Sequence, residues 1–193
     1  MNGRILLPIA LALGAVSGLG ACDERGTIQT IRGAAGAYNA AGARSALRYA
    51  GLNGPVLLEV RGAGFVEPPA VVAATVARIA TGAVIGAPVA FTADRAAAAR
   101  PTSRVIVAFD MPPAIDARRL CAGPSPAAVR GERLAAVAAF CAGTASAAES
   151  SGLAPRALSV GDPVVARFVA QLVYDLFPRP AYEDRIPSLF ERD

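Results

Sequence analysis

Residues 162–177 constrain the fold more than any other stretch, because they are stable only as a one-sided helix pressed against a larger apolar surface. Val165, Phe168, Val169, Leu172, Val173 and Leu176 recur at three- and four-residue spacing and so share one face. Asp162 stands where a side-chain oxygen can accept from the first free helical amides. Pro163 follows where a missing N–H costs nothing, and Pro178 and Pro180 stop the helix. A helix this short is marginal alone in water, so its stripe requires a partner layer.

That layer reads as a sheet. In residues 104–110, Val105, Ile106, Val107 and Phe109 run almost without interruption, the pattern of a central strand covered on both faces, or on one face with an edge packed. Residues 56–60, bounded by Gly54 and Gly62, read as a second strand and residues 88–92 as a third. Residues 132–141 read as a fourth, with helix competing because alanine fills the gaps, and residues 144–160 hold at most one short edge strand. Between them, Val72, Val76 and Ile79 set a helix that begins near Pro69 and stops at Gly82. Residues 111–131 form a long Pro- and Gly-rich connection, which a compact domain keeps only if it is functional or pinned. These elements predict an α+β two-layer sandwich over residues 55–180: a mixed sheet of four or five strands with two helices on one face.

Composition removes much chemistry. The chain has no His and no Trp, and all 19 of its basic residues are arginine. No imidazole base, Ser-His-Asp triad, His-ligated metal, Schiff-base lysine or phosphate-binding P-loop lysine is available. The net charge of +4 is scattered, with only Arg118 and Arg119 adjacent, so no nucleic-acid footprint emerges.

The N-terminus is a leader. Residues 5–22 carry no charge and approach the ~20 residues of a membrane span. Pro8, Gly14, Gly18 and Gly20 argue instead for a secretory signal, with Arg4 before a short apolar core and small residues after it. The closing run Leu19, Gly20, Ala21, Cys22 resembles the lipobox of bacterial lipoproteins. The resemblance covers the leader alone. It implies that residues 1–21 are removed as a signal peptide and that Cys22 becomes the acylated, palmitate-bearing first residue. Three acyl chains would anchor durably where one, at ~0.8 kcal/mol per buried CH2, binds only marginally. Asp23 after the cysteine is associated in well-studied lipoproteins with inner-membrane retention. The expected location is therefore the periplasm-facing surface of the inner membrane in preference to the outer membrane.

With Cys22 given to lipid by that resemblance, Cys121 and Cys141 remain, in a chain expected in an oxidising compartment. An even pair there reads as a disulfide, with two buried thiols as the alternative. Residues 22–54, with glycine at 26, 33, 36, 42, 51 and 54, read as a flexible Ala/Gly-rich tether holding at most a helical turn or two around Leu47. A segment that packs on the domain is the competing reading.

No motif of the remaining chain carries catalytic chemistry. Gly62 and Gly64 follow a strand, but Glu67 occupies the third glycine position of a dinucleotide fingerprint, so no nucleotide or other cofactor is expected. Glu59, Glu67, Asp94, Asp110, Asp116 and Glu132 are the carboxylates from which a cell-wall hydrolase would draw a pair, and spacing alone brings no two together. The tail, residues 181–193, spaces Tyr182, Ile186, Leu189 and Phe190 among charges, for docking on its own domain or on a partner. The resulting expectation is a non-enzymatic, lipid-anchored adaptor that contacts another envelope protein through a sheet edge or those four tail residues. The alternatives are a module for a small apolar ligand or lipid and, less favoured, the hydrolase.

Overall fold

A computed structural model of the chain describes residues 26–33, 39–62, 64–111, 115–124 and 127–179. Its strands are β1 (Gln29–Arg32), β2 (Val56–Arg61), β3 (Phe91–Thr92), β4 (Ser103–Phe109), β5 (Arg133–Ala142) and β6 (Ala145–Pro155). The helices are α1 (Ala40–Ala50), α2 (Pro69–Ala83), α3 (Ala117–Ala122) and α4 (Pro163–Leu176). The class is α+β, but the sheet has six strands where four or five were expected, in the order β1-β6-β5-β4-β2-β3. It is mixed: β2 is parallel to both β3 and β4, and the pairs β4/β5, β5/β6 and β1/β6 are antiparallel.

One sheet face carries the main core. Leu58, Val105, Val107, Phe109 and Phe140 point toward α1, α2 and α4, where Leu47, Val76, Phe168, Leu172 and Phe177 meet them. The helix at the chain's end forms as its spacing dictates, with the Asp162 side chain accepting from the Val164 amide at 2.8 Å. Gly152 lets β1 and α4 close over β6. A Cβ there would stand 2.5 Å from the Gln29 carbonyl oxygen and 2.8 Å from the Phe168 ring.

The helices are not confined to one face, contrary to the two-layer expectation. On the opposite face Ile106, Ala108, Val137 and Ala139 form a smaller core with Leu120 of α3 and with Met111. The Cys121–Cys141 disulfide, Cα atoms 5.5 Å apart, bonds α3 to β5 and pins the connection that the sequence left as a long loop.

The largest departure lies in the described part of the expected tether, residues 26–33 and 39–54. Residues 29–32, taken with the tether, form β1 and pair with β6 from Gln29↔Leu153 to Arg32↔Ser150. Residues 40–50 form a full helix, because Ala43, Leu47 and Ala50 make a buried stripe at helical spacing. Burying Leu47 alone contributes about 2 kcal/mol. Arg44 fastens the helix in place: its guanidinium donates to the carbonyls of Phe177 and Ile85, both at 2.8 Å. Burial, then the nearby Arg48 and Arg179, lowers its pKa from the ordinary arginine value. Residues 144–160 likewise hold more than a short edge strand, since β6 is eleven residues long and paired on both sides.

Candidate binding surface

The carboxylates come first, because they are the groups from which hydrolytic chemistry would be built. Asp110 follows the last residue of β4 in the left-handed region, φ 53°, with its side chain buried. Its Oδ2 accepts a hydrogen bond from Arg156 at 3.0 Å, and Oδ1 faces the same nitrogen at 2.8 Å as an ion-pair contact off hydrogen-bonding geometry. Arg156 also donates to the carbonyls of Gly131 and Arg133, at 2.7 and 2.8 Å. Glu67 accepts from the Ser159 hydroxyl at 2.5 Å and the Val160 amide at 3.1 Å. Those bonds, the hydroxyl's foremost, hold its pKa below the usual glutamate range. A carboxylate so stabilised is a weaker base than an ordinary glutamate.

Other carboxylates position backbone. Glu59 faces Arg61, Arg95 and Arg104 at 2.9, 3.2 and 3.4 Å. Arg61 in turn donates to the carbonyls of Leu120 and Gly123, and Arg104 to that of Cys121, so the network holds the end of α3 over the sheet. Asp94 accepts from the Ala96 amide, Asp116 caps α3 through the Arg118 amide, and Glu132 is exposed. Gly62 is glycine for steric reasons: φ is 83°, and a Cβ would stand 2.0 Å from the Phe109 carbonyl oxygen. The hollow beside it, between Phe65, Glu67, Val72 and Phe109, has a volume of about 210 Å³.

A different surface lies at the opposite sheet edge. Among the described residues β1 pairs with β6 on one side only, and its other edge is free. The Gly33 amide donates to the Glu149 carbonyl at 2.9 Å, and strand alternation therefore aims the amides of Thr30 and Arg32 away from β6, at the free edge. Hollows flank this edge on both faces of the sheet. Ile28 and Thr30 border an open groove of about 850 Å³ shared with Ile85, Ala170, Gln171 and Tyr174. Gln29 and Ile31 border one of about 200 Å³ with Met111, Val137, Ser151 and Leu153. Ile31 is 70% exposed.

Of the residues singled out from sequence, Cys121 and Cys141 are brought together, while Cys22, Tyr182, Ile186, Leu189 and Phe190 lie outside the described residues. Sequence reasoning missed β1. Its signal was present, since Thr27, Ile28, Thr30 and Ile31 are β-branched, but the surrounding glycines masked it. Among the described residues no group of three or more His, Cys, Asp or Glu is placed to hold a metal ion, and no helix is long and apolar enough to cross a membrane. No protein-family model matches the chain, and no match was found among curated proteins or solved structures.

Proposed function

We propose that this protein is a lipid-anchored, periplasm-facing adaptor that acts by binding another envelope protein and catalyses no reaction. The observation that carries this reading is the free edge of β1 between two hollows. A partner segment adding to that edge as a strand would take main-chain hydrogen bonds from Thr30 and Arg32. Its alternate side chains would enter the groove beside Tyr174 and the hollow beside Ile31 in turn. Backbone pairing supplies affinity and the two hollows supply selectivity. The structural engagement of Glu59, Glu67, Asp94, Asp110 and Asp116 supports the non-catalytic part. A small apolar ligand has less support. The hollows beside Phe65 and Ile31, about 210 and 200 Å³, fall below the ~300–1,000 Å³ usual for ligand sites, and the larger groove is open.

The test is site-specific photocrosslinking in the native cell envelope, with the reactive side chain at Ile31 or, as the control, at Leu52. Leu52 is 69% exposed and lies beyond the end of α1. The adaptor reading expects one discrete protein adduct from position 31, identified by mass spectrometry, and none of that mass from position 52. Equal or absent adducts at both positions would refute it.

A further inference from the structure

The direction of β1 determines which end of the domain faces the lipid anchor. β1 runs antiparallel to β6, which runs in the same sense as β4 and β2, so the start of β1 lies where β2, β4 and β6 end. Arg133 fixes that start by donating to the Thr27 carbonyl at 2.5 Å and to Gln29 Oε1 at 3.2 Å. Cys22 precedes Thr27 by five residues, which span at most ~18 Å when fully extended. A leash that short permits no search through the periplasm.

At this same end four apolar side chains stand in solvent: Val66, Leu158, Val129 and Val71, exposed by 74, 56, 59 and 47%. Val66 and Leu158 are adjacent, the amide of one donating to the carbonyl of the other at 2.9 Å. Val129 is tied to the end of β4 through the Asp110 carbonyl, and Val71 lies in the first turn of α2. Arg130 is exposed beside Val129; behind the patch Arg156 is paired with Asp110, and the Glu67 carboxylate accepts from the Ser159 hydroxyl and the Val160 amide. Exposed apolar side chains with an arginine beside them suit the boundary between lipid headgroups and acyl chains.

We infer that this end of the sheet is a membrane-docking face, with Val66, Leu158, Val129 and Val71 set into the surface of the bilayer that holds the acyl chains of Cys22. The inference rests on the lipid-anchor reading and adds an orientation to it. Tyr49 and Leu52, also exposed, lie beyond the far ends of the strands, at least the length of seven-residue β4 away, ~23 Å at ~3.3 Å per residue. They face away from the membrane, and the free edge of β1 stands upright between the two ends.

The absence of tryptophan makes the test clean. Full-length protein from the native membrane, carrying Val66→Trp, Leu158→Trp or Leu52→Trp, is reconstituted in vesicles of phosphatidylethanolamine and phosphatidylglycerol with brominated acyl chains. Mass spectrometry reads the acyl mass on Cys22. All three sites are exposed, so the substitutions spare the core, and matching thermal transitions confirm it; Val129→Trp replaces a docking-face variant that fails to fold, and Tyr49→Trp replaces the Leu52→Trp control. The docking face predicts a blue shift and bromine quenching for Val66→Trp and Leu158→Trp, and neither for Leu52→Trp. Acylated protein that stays on the vesicles with equal or no quenching at all three sites overturns the docking face and leaves the anchor standing. Protein with no acyl mass on Cys22 overturns both.

Discussion

Replacing Asp110 tests whether the corner where β4 ends is held by charge, by backbone conformation, or by both. In Asp110→Ala the Arg156 guanidinium, 16% exposed, keeps its carbonyl partners but loses its counter-charge. Breaking a buried pair costs ~3–5 kcal/mol, and the partial exposure places this one near the low end, about 3 kcal/mol. Alanine also fits the left-handed φ of 53° less well than aspartate, adding about 1 kcal/mol. Asp110→Asn keeps an acceptor oxygen and tolerates that φ, so it should cost about 2 kcal/mol. The double variant Asp110→Ala/Arg156→Met removes both charges and should recover much of the loss, since the coupling belongs to the pair. Urea unfolding of the oxidised wild type and the three variants reads these losses. A loss below about 1 kcal/mol in Asp110→Ala, or a double variant less stable than that single one, would refute the reasoning.

Three further outcomes are expected. The 20-residue separation of Cys121 and Cys141 makes their bridge worth about 3 kcal/mol by loop closure, so Cys121→Ala/Cys141→Ala should lower unfolding stability by that much, with α3 protected least in hydrogen exchange. Glu67 should titrate below the ordinary 4.5 and move up in Ser159→Ala, read by carboxyl NMR. Because its pKa is depressed in the folded state, its stabilisation is present above the unfolded value and is lost as pH falls through the folded one. Cys22→Ser should release the protein from membranes into the soluble periplasmic fraction; wild-type protein found there instead would end the anchor reading.

What was legible in the sequence follows how much each element depends on its own side chains. α4 and β4 carry their burial in large apolar residues, so periodicity finds them. β5 reads as a strand despite its alanines because Leu134, Val137 and Phe140 punctuate it. β6 has no β-branched or aromatic residue; its backbone is ordered by ladders to β5 and β1, a tertiary cause that local sequence does not display. α1 hid in the same way, since two of its four buried residues are alanines and a third, Arg44, is charged. The expected site fared similarly: the cysteine pairing followed from compartment and parity. The free edge instead depends on which strand ends the sheet, and that is settled by residues 120 positions away in sequence.

The central claim is strand addition at β1, and the most direct measurement is crosslinking from Ile31 with and without Thr30→Pro. Proline there removes an amide aimed at the free edge and leaves the Gly33 bond to β6 in place. The account predicts that the adduct is lost while the unfolding midpoint stays close to wild type. An adduct of unchanged yield in the folded Thr30→Pro protein would contradict it.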